Sequence, residues 1–186
     1  MYLAAFLPGV LALGANLPPY LIEEMKPILQ SVASRRLPGD AIYVFYGAGQ
    51  AVSFYGPRYG FTAQDYVLGG CHQGDTRAYL REVDDFRGRP RLWVLISHDW
   101  RGEGLPLLDY LDHLAGRRLA IRASTHGHHA LASEAYLYDM TSSPLRPRVE
   151  AASFPIASAG WNRLDSRFPC RGAENPVSEI PLEPAH

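Results

Sequence analysis

Lysine is almost missing from this 186-residue sequence: Lys26 is the only one among 18 basic residues. The rest are arginines, a residue suited to phosphate and carboxylate recognition, but they are scattered and form no basic stripe. Balanced against 19 acidic residues they leave a formal net charge of −1. That balance gives no general argument for nucleic acid or for an acidic membrane surface, and no nucleic-acid partner is expected. Cysteine is equally sparse. Cys71 and Cys170 are the whole supply and no CxxC exists, which excludes a local zinc or dithiol redox motif. In an oxidising compartment the two could pair and tie the C-terminal segment to the sheet edge. No serine lies in a nucleophile elbow; Ser53, Ser97 and Ser124 all lack the flanking glycines. Long apolar runs are confined to the first 22 residues, which rules out a complete multi-span membrane protein within this sequence.

What is present describes a globular chain. Hydrophobic residues make up 47% and charged residues 20%, unlike a disordered sequence. The length suits one domain that buries roughly 70% of its unfolded surface without needing disulfide or metal.

The chain divides into three stretches. Residues 1–19 are apolar and uncharged, interrupted by Pro8-Gly9 and fading into Gly14, Asn16, Pro18 and Pro19. They read as a buried arm, as a degenerate signal or interfacial segment, or as the end of a transmembrane helix that begins upstream. The third reading leaves open whether Met1 is the native start. Residues 20–140 carry the α/β periodicity. Residues 141–186 hold seven of the 15 prolines and are expected to wrap the domain as coil or stay partly disordered.

Within residues 20–36, Leu21, Ile22, Met25, Ile28, Leu29 and Val32 recur at helical spacing. Glu23 and Glu24 come early and Arg35 and Arg36 late, matching the helix dipole; Pro27 either kinks this helix or marks its first turn. Residues 41–46 (AIYVFY) read as a strand, then Gly47-Ala48-Gly49 opens a short helix through Tyr55. Tyr66-Val67-Leu68 reads as a second strand ending at Gly69-Gly70. Asp75 caps a helix over residues 76–86, with Tyr79, Leu80, Val83 and Phe86 inward. Residues 91–97 (RLWVLIS) are the clearest strand. Leu105, Leu108, Leu111 and Leu114 mark a further amphipathic helix, ended by Gly116. Residues 118–122 and 135–139 are the last strands, close enough to form an antiparallel hairpin at one edge. Strands alternating with helices predict a three-layer, Rossmann-like, mainly parallel sheet with helices on both faces.

In such sheets ligands sit beyond the carboxyl ends of the strands. Those ends carry Tyr46-Gly47-Ala48-Gly49, Gly69-Gly70-Cys71-His72 and Ser97-His98-Asp99-Trp100. Tyr46, His72, His98 and Asp99 should therefore converge, and an imidazole beside a carboxylate can serve as general base or ligand. The alternative is that Ser97 and His98 only close a turn. A dinucleotide loop is disfavoured, because Gly47 and Gly49 lack the third glycine of the fingerprint and Asp65 precedes its strand instead of ending it. No cofactor is implied. His126-Gly127-His128-His129 resembles a metal tract in composition, but without cysteine or carboxylate at familiar spacing it reads as a solvated loop. No metal site is assigned. Tyr55-Gly56-Pro57-Arg58-Tyr59 could present aromatic faces to a sugar or a lipid headgroup, although alternating aromatics are normally core.

Four segments taken in order carry a family likeness: Lys26-Pro27-Ile28-Leu29, residues 38–48 (PGDAIYVFYGA), residues 91–98 (RLWVLISH) and residues 135–139 (AYLYD). This order resembles the soluble C-terminal domain of multi-span bacterial glycosyltransferases of the GT-C class, in the protein mannosyltransferase and aminoarabinose transferase group. The likeness covers about residues 1–140. It implies that residues 1–19 end the last transmembrane helix, and that the α/β domain lies on the extracytoplasmic, periplasmic face of the membrane. It implies as partners the enzyme's own upstream transmembrane domain and a glycan or lipid-linked sugar; the reaction would be sugar transfer from a polyprenyl-phosphate donor. The family's catalytic acids lie among upstream transmembrane segments, so no catalytic residue carries over and this chain alone is expected to be inactive. The alternatives are a stand-alone small enzyme, cytoplasmic and soluble, using the cluster around His98, or a glycan- or protein-binding module.

Overall fold

The computed structural model describes residues 24–99, 102–123, 132–141 and Phe154. The expectations for the apolar N-terminal stretch, for the His126–His129 tract and for most of residues 141–186 lie outside the described residues.

The first helix, α1 (Met25–Ala33), buries Met25, Ile28, Leu29 and Val32, the stripe read from its spacing. Pro27 falls in its first turn, where its missing N–H has no helical partner to lose. The flanking charges act differently from expectation. None lies inside the first or last turn; Glu24 instead is the N-cap, its carboxylate accepting from the Lys26 N–H at 3.3 Å. Strand β1 (Ala41–Val44) leads through a single 3-10 turn at Tyr46–Ala48 into α2 (Gly49–Tyr55), and a second 3-10 turn follows at Gly56–Tyr59. Strand β2 is Val67–Leu68 and α3 is Thr76–Asp84. As expected, Asp75 caps α3 by accepting from the Ala78 N–H at 3.1 Å, but the helix stops two residues short of Phe86.

Strand β3 (Leu92–Ile96) is buried at all five positions, as a central strand covered on both faces must be. Helix α4 (Gly104–Leu114) buries Leu107, Leu108, Tyr110, Leu111 and Leu114. Leu105, read as part of that stripe, is instead exposed, since it lies off the face set by the other leucines. Gly116 is no helix cap: Ala115 ends α4 in an extended conformation, and Gly116 already opens β4 (Gly116–Ala123). Strand β5 (Ser133–Asp139) completes the sheet.

The sheet order is β2-β1-β3-β5-β4. Parallel pairing joins β1 to β2 (Tyr43 opposite Val67) and to β3 (Val44 opposite Leu95). Antiparallel pairing joins β5 to β3 (Trp93 opposite Leu137) and to β4. The fold is thus a three-layer, Rossmann-like α/β sandwich whose parallel core is extended on one side by the antiparallel hairpin read from the sequence. Alternate residues of each strand point to opposite faces, which makes two cores. Tyr43, Phe45, Val94 and Ile96 pack with α3 and α4. Ile42, Val44, Trp93 and Leu95 pack with α1 and α2. Phe154 joins the first core, edge-on to Tyr110 at 5.1 Å between ring centroids.

Candidate functional site

The helix after β1, α2, covers one face of the sheet, and the helix after β3, α4, covers the other. The neighbouring parallel strands β1 and β3 therefore flank the topological switch point, where an open α/β sheet forms its ligand crevice. Its walls are the Tyr46–Ala48 turn and residues 97–99. They touch. A Cβ on Gly47 would lie 2.5 Å from the Ser97 carbonyl oxygen and 3.0 Å from that of His98, so only glycine permits the approach.

Two carboxylates organise the groups above this contact. Glu103, in the turn before α4, accepts from the Tyr46 hydroxyl at 2.9 Å and the Tyr79 hydroxyl at 3.3 Å, and its other oxygen accepts from the Gly74 N–H at 3.4 Å. The Tyr46 and Tyr79 rings stack, 5.8 Å apart and 12° from parallel. Glu82, on α3, accepts from the Tyr43 hydroxyl at 2.7 Å and the Gly70 N–H at 2.8 Å, and its carboxylate meets His72 Nε2 at 2.7 Å. Tyr79 joins the two groups, because its hydroxyl also accepts from the His72 N–H at 2.9 Å. Local sequence explains the placement. Asp75 fixes the start of α3, and Tyr79 and Glu82, three residues apart, share the helix side that faces the strand ends. Gly69 and Gly70 leave the room: a Cβ on Gly69 would collide with the Tyr43 hydroxyl, and one on Gly70 would sit 2.7 Å from His72 Nε2.

Burial, then the negative charge of Glu103, pushes the Tyr46 hydroxyl up to about 12. The same causes raise Tyr79, and burial followed by Glu82 raises Tyr43. These hydroxyls stay protonated and donate. Asp99 accepts from the Gly104 N–H at 3.0 Å, while its other oxygen is buried with no hydrogen-bond partner among the described residues. Burial pushes its carboxyl up to about 6, with nearby Glu103 and Glu134 adding to the rise.

Of the residues expected to converge, Tyr46 and His72 are linked through Tyr79, and Asp99 lies within the electrostatic reach of Glu103. His98 meets Ser97 instead. It adopts a left-handed backbone (φ 55°), and its Nδ1 meets Ser97 Oγ at 3.2 Å, which in turn meets Ser133 Oγ of β5 at 2.9 Å. Loss of solvent around its ring holds its pKa below the ordinary histidine value. The imidazole–carboxylate pair is His72–Glu82, not His98–Asp99. Sequence reading missed Glu82, Glu103, Tyr79 and Tyr43 as polar participants. The two tyrosines read as core, and the i, i+3 pairing of Tyr79 with Glu82 was the available signal.

Tyr55, Arg58 and Tyr59 belong to neither group. Tyr55 and Tyr59 pack against the core on the α1–α2 face, and Arg58 lies over the rings of Phe54 and Tyr55. Cys71, between the two glycines and His72, is disulfide-bonded; the other cysteine, Cys170, lies outside the described residues. Among the described residues no group of three or more histidine, cysteine or acidic side chains is placed to hold a metal ion, and no helix is long and apolar enough to cross a membrane.

Fold and site together define a three-layer α/β domain with a hydrogen-bonded tyrosine–carboxylate cluster at its strand ends. The chain matches no family model, and no curated protein matches it.

Proposed function

We propose that this chain is a non-catalytic, extracytoplasmic C-terminal domain of a membrane glycosyltransferase, an enzyme that transfers a sugar from a polyprenyl-phosphate donor. The observation that carries this reading is the closed switch point. Gly47 is packed on the Ser97 and His98 carbonyls, and each oxygen of Glu82 and Glu103 already has a protein donor. A close-packed turn beside glutamates already satisfied by the chain's own donors suits a domain that packs on a membrane partner more than one that binds a reacting sugar. The disulfide at Cys71 supports an extracytoplasmic location, since such bonds persist in oxidising compartments. The ordered sequence likeness, covering about residues 1–140, supplies the family.

Two measurements test the reading. The purified chain should fold and transfer no sugar from a polyprenyl-phosphate donor; turnover would sink the non-catalytic assignment. An antibody to residues 36–186 should detect a band much larger than 20.6 kDa in membranes of the source cells. A soluble band of that mass would favour the second reading, a small enzyme using the strand ends. The raised Asp99 carboxyl, with one oxygen unpartnered among the described residues, is what favours that alternative. It predicts that Asp99→Asn abolishes an activity while the domain stays folded.

A further inference from the structure

The α1–α2 face carries a surface that the proposed function leaves unused. Phe54 is 67% exposed at the end of α2, and its ring meets that of Tyr55 edge-on at 4.8 Å. Two cations sit over these rings: Arg58, 5.9 Å from the Phe54 centroid and 6.0 Å from that of Tyr55, and Lys26 Nζ, 5.6 Å from Tyr55. Pro57 and Arg58 are themselves exposed. Lys26 pairs with Glu24 at 3.3 Å, whereas Arg58 has no carboxylate partner among the described residues. The patch is therefore apolar at its centre and net positive at its rim.

We infer that this patch docks on a bilayer surface bearing anionic headgroups, with Phe54 and Tyr55 at the headgroup boundary and Arg58 and Lys26 on phosphates. Three observations converge on that occupant. Aromatic rings with cations beside them have the amphipathic character of membrane-interface anchors. The charge sign complements anionic lipid. In the sequence, 22 uncharged residues precede the Glu23-Glu24 pair that leads into α1, so a long apolar stretch lies close to the patch along the chain. A soluble protein partner has no comparable feature in its favour. This docking does not depend on the glycosyltransferase reading and would hold for a chain with any activity.

The test is co-sedimentation of the full chain with phosphatidylcholine–phosphatidylglycerol vesicles and with pure phosphatidylcholine vesicles. The wild-type chain should prefer the anionic vesicles and lose that preference in high salt. The variant F54S/R58E should partition about tenfold less, with an unchanged thermal midpoint. If that variant does not fold, Lys26→Glu reads the same surface from α1 and should also weaken binding. Equal partition of wild type and folded variants would overturn the inference, because binding would then come from residues 1–22 alone. Equal partition onto neutral and anionic vesicles would overturn it too. The assay contains no sugar donor, so its failure leaves the proposed function untouched.

Discussion

The two ends of the parallel sheet handle buried carboxylates in opposite ways. At the amino end, Asp40 precedes β1 with its side chain only 3% exposed. It accepts from Arg91 Nε at 2.6 Å, from Trp93 Nε1 at 2.8 Å and from the Leu37 N–H at 3.0 Å. Burial pushes its carboxyl up, yet the Arg91, Leu37 and Trp93 hydrogen bonds and the guanidinium charge together hold it below the usual range. At the carboxyl end the partners of Glu82, Glu103 and Asp99 are tyrosines, backbone N–H groups and His72, and Asp99 is pushed up to about 6. Neutralisation by a guanidinium makes the first end a fastening. Without it, the second end keeps a carboxyl that changes charge near physiological pH.

The largest effect should come from undoing the fastening. Asp40→Ala leaves the Arg91 charge and the Trp93 N–H without their acceptor and should cost about 3–5 kcal/mol, read by urea denaturation. A carboxyl held low in the fold stabilises fully above its unfolded value, near 3.8, and that stability is lost as pH falls through the folded value. Wild type should therefore lose this contribution below about pH 4, and the variant should show less of that acid loss.

Asp99→Asn probes the other end and should act with the opposite sign. A carboxyl raised to about 6 makes the folded state bind the proton more tightly, so stability falls as pH rises from about 4 to 6 and the penalty persists above. Asparagine keeps an acceptor for the Gly104 N–H and removes the charge. At pH 7 the variant should be more stable by about 2–3 kcal/mol, and its stability should be flatter between pH 4 and 6. A destabilised variant with unchanged pH slope would show that the two ends do not differ in this way. Next in size is Gly47→Ala, whose Cβ meets backbone oxygens that no side-chain rotation can move. It should cost about 1–3 kcal/mol in the same denaturation series.

The sheet itself was legible in the sequence because its signals are periodic. The buried run of β3 and the Asp75 cap are local patterns, and so is the pairing of the last two strands, which needs only a short connection. The strand-end cluster was legible only in part. Placing Tyr46 and His72 at one edge follows from topology, but Glu82 and Glu103 enter through side chains reaching across elements, 39 residues from Tyr43 and 57 from Tyr46. No spacing rule reports such contacts. Nor does the sequence show that His98 takes a left-handed backbone and bonds Ser97 rather than Asp99. Leu105 was misread because four leucines three residues apart drift around a helix of 3.6 residues per turn, and the buried face follows Leu107, Leu108 and Leu111 instead.

The smallest effect calibrates the others. On the far edge of the sheet, β4 displays its arginines to solvent: Arg118 pairs with Asp139, and Arg122, 66% exposed, pairs with Glu134 of β5. These are arginine–carboxylate contacts like that of Asp40, differing chiefly in exposure. Screening by water leaves such a pair worth about 0–1 kcal/mol, and charges along an edge strand also discourage pairing with another chain. Arg122→Ala should therefore change stability by less than about 1 kcal/mol, and what effect it has should shrink further in high salt. If it costs as much as Asp40→Ala, burial is not what separates Asp40 from the rest, and the contrast between the two ends must rest on the Trp93 and Leu37 donors instead. If it costs almost nothing, the same ion pair has been weighed wet and dry in one sheet, and the difference measures what enclosure at the amino end contributes.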